Sequence, residues 1–181
     1  MKKLLLAVIV SLSTVTTAAM AEIKVGIILG FTGPIESLTP AMRDGARMAF
    51  DEASNSGNLL GGESITILEA DSTCVDSAAA TAAAEGLVAD GVTAIMGADC
   101  SGVTGAINAN VAVPNGILMV SPSATSPGLS KVPDNGTFWR TAPSDAKGGQ
   151  VLAKLALSRG IESIAAVSYT HLRAHETRSD R

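Results

Sequence analysis

Histidine is missing from the first 170 residues of this chain, whose two copies, His171 and His175, both fall in the closing HLRAHETRSDR. A Ser-His-Asp or Cys-His arrangement cannot be built from the body of the chain, and imidazole metal sites go with it. Glycine-rich phosphate loops are absent too: GIILGFTG carries Gly26, Gly30 and Gly33, which is not the G-x-G-x-x-G spacing, and no glycine-rich stretch ends in Gly-Lys-Ser/Thr. A hydrolase or dehydrogenase reading would need catalytic residues from elsewhere. Aromatics make up only 3% of the chain, so many alanines and glycines must close the core by letting helices lie near a sheet. No segment is of low complexity and none repeats. Positive charge is scarce as well. From Glu22 to Thr170 there are 8 basic and 15 acidic residues, a net of −7. A field of that sign repels phosphate backbones, which argues against nucleic acid as a partner.

What is present begins with an export signal. Lys2 and Lys3 precede an apolar run from Leu4 to Val10, and small residues end at Ala19-Met20-Ala21. The pattern predicts a secretory signal peptide over 1–21, cleaved after Ala21, so that the mature chain starts at Glu22. The apolar run is well short of the roughly 20 residues a membrane span needs. The residue directly after the cleavage site is Glu22 and not a cysteine, which points to a soluble periplasmic protein and not a lipid-anchored one. The mature part has the size of one globular domain. At the other end composition shifts abruptly: Arg173, Glu176, Arg178, Asp180 and Arg181 join both histidines after Thr170. The stretch SYTHLRAHETRSD resembles read-through sequence at the ends of gene fragments in metagenome assemblies, and residues 171–181 are expected to be a non-native tail.

Strand and helix patterns alternate between those ends. Ile23 to Leu29 (IKVGIIL) is a continuous apolar run of the kind buried on both faces. Thr39-Pro40 supplies an N-cap and a helix-starting proline, Met42, Ala46, Ala49, Phe50 and Ala53 follow at helical spacing, and Gly57 ends the helix. Further strands are expected at Ser64–Ala70, Val92–Met96 and Ile117–Val120, and a fifth at Ser163–Tyr169, after a short extended piece at Thr137–Thr141. Helices are expected at Ser77–Ala89, capped by Asp76 or Ser77, at about Gly102–Ala112, and at about Ala146–Arg159. This order implies an α/β fold, a doubly wound parallel sheet with helices on both faces.

In such sheets ligands bind beyond the carboxyl ends of the strands. The loops Gly30–Thr39, Gly97–Gly102 and Ser121–Ser130 are all rich in Gly, Ser, Thr and Pro. Ordinary turn chemistry accounts for any one of them. Together they suggest a cradle. Ser101, in GADCSGVTG, starts a helix, where its hydroxyl and unpaired amides suit a carboxylate, although an N-cap role is the plainer reading. Ser123, Ala124 and Thr125, in SPSATSP, offer carbonyls and a hydroxyl for an ammonium or a carboxylate. The pair of loops fits a small zwitterion. Cys74 and Cys100 follow strands two and three, and in an exported chain two cysteines are usually paired. If strand one lies between those strands, a bridge would pin the binding edge; the alternative is two buried thiols. The acidic residues scatter over helix surfaces, except Asp71 at the end of strand two, for which turn capping is expected.

The runs VGIILGFTGPIESLTPAMRDGARMAFDEAS, ADSTC, GADCSGVTG, ILMVSPSATSP and FWRTAPSDAKGG resemble, in order, the leucine/isoleucine/valine-binding proteins of branched-chain amino acid ABC transporters. These are type I periplasmic binding proteins, with two α/β lobes closing on a ligand. The resemblance covers about Glu22 to Thr170 and implies the N-terminal lobe only, 22–170, of a monomeric binding component that delivers a small amino acid to an inner-membrane permease, with no cofactor and no catalysis. It implies that Ser101 contacts the ligand carboxylate, that Ser123 contributes backbone contacts, that Thr125 contacts carboxylate and ammonium, and that Cys74 and Cys100 form the family disulfide. Leu38 falls where some members carry an aromatic over the ligand side chain, so ligand size is left open. A sensor ectodomain of the same fold is the alternative; neighbouring permease or kinase genes would discriminate.

Overall fold

The computed structural model describes residues 22–60 and 62–165. The expected signal peptide and tail lie outside them. Five parallel strands form one sheet in the order β2-β1-β3-β4-β5. They are β1 (Ile23–Leu29), β2 (Ile65–Asp71), β3 (Ala94–Gly97), β4 (Leu118–Ser121) and β5 (Phe138–Arg140). Strand β1 is apolar and buried from Val25 to Leu29, where neighbours flank both its edges and helices both its faces.

One sheet face, from Ile28, Ile95, Met119 and Phe138, packs against α2 (Ser77–Ala89) and α3 (Ser101–Ile107). Ala80 and Ala84 are fully buried, and their small side chains let α2 lie close to the strands. Asp76 caps α2 by accepting from the amides of Ala78 and Ala79 at 2.9 and 3.0 Å. The helix begun by α3 runs on through a π-helical turn, Asn108–Ala112, into α4 (Val113–Asn115), past the Ala112 expected from the pattern. The other face is covered beside β1 and β2 by α1 (Thr39–Asn55). Over β3 and β4 it is open: Val25, Ala94, Met96, Leu118 and Val120, with Phe50 of α1, line an apolar groove of about 370 Å³.

Two expectations are corrected. The fifth strand of the sheet is Phe138–Arg140, inside the piece read as merely extended, while 163–165 are irregular and 166–169 lie outside the described residues. Thr39 does not cap α1. The cap position is Leu38, without a side-chain hydrogen bond, and the buried Thr39 hydroxyl instead donates to the Glu36 carbonyl at 3.1 Å. The chain enters α1 from a turn closed by the Leu38 amide on the Ile35 carbonyl, so the threonine is already inside the first turn.

The last helix, α5 (Asp145–Ser158), stands apart. Its Val151, Leu152, Leu155 and Leu157 are exposed and only Ala156 is buried. Ser144 caps it through the Ala146 amide.

Candidate functional site

The loops after β1, β2, β3 and β4 meet at one edge of the sheet. They do so because all four strands are parallel and end in register: Ile28 lies opposite Gly97, Leu29 opposite Asp71, and Met96 opposite Val120. The disulfide Cys74–Cys100, with its Cα atoms 5.2 Å apart, joins the β2 loop to the residue before α3 across the end of β1. The condition set from sequence, strand one between strands two and three, is met.

Ser101 is the first residue of α3, and Cys100 occupies the cap position. Its Oγ accepts from the Ser126 amide at 3.1 Å instead of capping its own helix, so it ties the β3 loop to the β4 loop. The Ser101 hydroxyl proton has no acceptor among the described residues. The Ser123 hydroxyl donates to the Asp99 carbonyl at 3.0 Å and lies 3.9 Å from the Met42 sulfur, which brings the start of α1, and with it the half-exposed Leu38, to the same edge. Ala124 is fully buried; its amide donates to the Ser121 Oγ at 3.0 Å and its carbonyl accepts from Arg140 Nη1 at 3.1 Å. Thr125 donates to Asp145 Oδ2 at 2.7 Å, and its carbonyl accepts the Asp145 amide at 3.0 Å. Ser101, Ser123 and Thr125 are therefore brought together, with Ala124 as the buried anchor of their loop.

Asp71 is the expected turn cap. It accepts from the Thr73 amide at 2.8 Å and from the Thr32 hydroxyl at 2.5 Å, so it links the β1 and β2 loops. Burial pushes its carboxyl up, but the Thr32 hydroxyl and the amides of Thr73, Thr32 and Phe31 together outweigh that and hold it below the ordinary aspartate value. The charged form is the one these donors require.

Two residues at this edge were not singled out from sequence. Arg140, on β5, donates to the carbonyls of Ala124 and Ser126 and to the Ser130 hydroxyl, and so holds the whole β4 loop in one shape. Asp99 is the one charged side chain that is buried among the described residues, at 3% exposure. Its carboxylate accepts from the amides of Gly30 and Cys100 at 2.7 and 2.8 Å and from the Ser72 hydroxyl at 3.2 Å. An acid between Ala98 and a cysteine carries no sequence signal of burial; the donors come from three separate loops. Chemically, the edge presents hydroxyls, helix-start amides and no nucleophile with a base, an arrangement for holding a small polar molecule.

Residues 22–179 match the family of periplasmic binding proteins. The Leu/Ile/Val-binding protein BraC3 of Rhizobium johnstonii is 32% identical over 155 residues, 86% of this chain and 41% of that one. The leucine-specific-binding protein of Salmonella typhimurium shows the same identity and coverage, 32%, 86% and 41%. Among solved structures, the branched-chain amino acid transporter substrate binding protein LivJ of Streptococcus pneumoniae, in complex with isoleucine, superposes with a TM-score of 0.62 at 30% identity, over 69% of this chain and 35% of that one. The chain thus spans about two-fifths of the length of these curated relatives. All three carry the name of a binding protein and none that of an enzyme.

Proposed function

We propose, on the premise that this chain belongs to the periplasmic binding protein family, that it is the first lobe of the solute-binding component of an ABC importer, taking a branched-chain or other small amino acid in a cleft between two lobes. One observation carries the reading: Ser101 and the Ser123–Thr125 loop are joined at the carboxyl edge of the sheet by the Ser101–Ser126 hydrogen bond, with the Ser101 proton left to donate. In this reading the Ser101 hydroxyl and the first amides of α3 receive the ligand carboxylate, Ser123 and Ala124 offer backbone contacts, Thr125 turns from Asp145 to the ligand, and Leu38 flanks the side chain. The protein is a periplasmic monomer, cleaved after Ala21, that delivers its ligand to an inner-membrane permease.

Two apolar surfaces support a second lobe. The groove over β3 and β4 and the leucines of α5 have no cover among the described residues, and a parallel sheet is normally buried on both faces. A foreign tail over residues 171–181 is part of this reading, although the family match runs on to residue 179. Reading the genomic frame past the codon for Thr170 tests this: family-like sequence is expected there, and an uninterrupted native frame encoding HLRAHETRSDR would refute it.

The binding test is calorimetric titration of an amino-acid panel against the full-length protein, with melting curves as folding control. Ser101→Ala and Thr125→Ala each remove a hydrogen bond to a charged group, worth about 1.5 to 3 kcal/mol, so affinity should fall roughly tenfold to a hundredfold per substitution. Leu38→Trp should instead reorder which side chains are accepted. Unchanged affinity in both hydroxyl variants would put the ligand elsewhere.

A further inference from the structure

Asp99 is a carboxylate out of water without a cation beside it. Such a group is tolerable only when donors satisfy it, and here two amides and a hydroxyl do so. What matters is where the donors sit. Gly30 begins the β1 loop, Ser72 the β2 loop, and Cys100 leads into α3; the Asp99 carbonyl takes the Ser123 hydroxyl of the β4 loop. One residue thus holds all four strand-following loops, and it stands two positions before Ser101.

The fit is close. A Cβ on Gly30 would stand 3.3 Å from Asp99 Oδ2 and 3.1 Å from the Cys74 Cβ, so any larger residue would push the carboxylate or the disulfide aside by a few tenths of an ångström. An acceptor-only group is required as well, since both neighbouring amides are fixed donors. An asparagine could satisfy one of them with its oxygen but would turn an NH₂ toward the other.

We propose that Asp99 is the positioning residue of the binding edge: its carboxylate fixes the Gly30 and Cys100 amides, and with its own carbonyl on Ser123 it sets the spacing between Ser101 and the Ser123–Thr125 loop before ligand arrives. This rests on the amino-acid-binding reading above. A rim held in its bound shape loses less freedom on binding, so the effect is on affinity for every ligand alike and not on choice among them.

The test uses the full-length protein and two readouts. In the amino-acid panel, Asp99→Asn is expected to weaken every measurable ligand about tenfold with their rank unchanged, and Asp99→Asn/Ser101→Ala to lose less than the product of the two single losses, because Ser101 is already misplaced. In ligand-free protein, amide hydrogen exchange at Gly30 and Cys100 should accelerate about tenfold while the amides of α2 keep their wild-type rates. A role in stability alone would leave the affinity of the folded variant within twofold of wild type, or speed all amides together, and either result overturns the proposal. If Asp99→Asn does not fold, Ser72→Ala, which removes one donor only, should weaken the panel about threefold without reordering it, and no weakening overturns the proposal. If wild type binds nothing in the panel, the amino-acid reading fails, and the exchange pattern still decides for or against Asp99.

Discussion

Replacing Gly97 with alanine is expected to destabilise the folded chain by about 3 to 5 kcal/mol, the largest single-site effect the structure implies. Gly97 ends β3 directly opposite Ile28 of β1. Its φ is +133°, where a residue with a Cβ rarely sits, and that Cβ would stand 2.0 Å from the Ile28 carbonyl oxygen and 2.8 Å from its Cγ2. The oxygen belongs to the backbone, so no rotamer change relieves the contact. Relief requires β1 and β3 to part at the edge where Ala98 and Asp99 begin the binding rim. Against a total stability of about 5 to 15 kcal/mol, the loss is a large fraction. Urea unfolding reads it: with a slope of about 1 to 3 kcal/mol/M, the midpoint should drop by roughly 2 M. Gly86→Ala is the control of opposite sign. Gly86 lies exposed within α2 with nothing within 4 Å of an added Cβ, and alanine there should stabilise by about 0.5 to 1 kcal/mol. Equal midpoints for wild type and Gly97→Ala would mean that β1 and β3 are not paired as described.

That glycine also marks how far the sequence could be read. β1 and α2 were legible to the residue, because an apolar run broken only by Lys24 and an alanine-rich stretch behind Asp76 each point to one local structure. β5 was not. It has three residues, its connection from β4 is a 3₁₀ turn, Pro127–Ser130, in place of a crossover helix, and a longer apolar run at Ile164–Tyr169 competed for the same role. That Ser101, Ser123 and Thr125 share one edge was legible because hydroxyls after buried parallel strands land on the same side of the sheet whatever the details. Arg140 and Asp99 could not, since each acts on partners brought together only by the fold: Arg140 on the β4 loop, Asp99 on Gly30, Ser72 and Cys100. Thr39 failed for a narrower reason. A threonine before proline is a good cap in isolation, but the preceding turn had already started the helix.

The second large effect concerns the disulfide. Cys74 and Cys100 are 26 residues apart in sequence, and closing a loop of that size removes chain entropy from the unfolded state equivalent to about 3.5 kcal/mol at 25 °C in the loop-entropy account. The double variant Cys74→Ser/Cys100→Ser should therefore unfold at a clearly lower denaturant concentration. Wild type in excess reductant should fall to nearly the same midpoint, since both treatments free the same loop. Binding is expected to suffer less than stability. Cys100 stands between Asp99 and Ser101, but the Asp99 carboxylate accepts the Cys100 amide, and the Ser101–Ser126 bond is independent of sulfur, so the rim keeps its anchors once the chain is folded. The decisive comparison is the wild-type denaturant midpoint with and without reductant. A shift near 3.5 kcal/mol, matched by the double variant, is the expected outcome. No shift, with two titratable thiols already present in the oxidised protein, would refute the bridge and leave Asp99 as the main covalency-free tie among the β1, β2 and β3 loops.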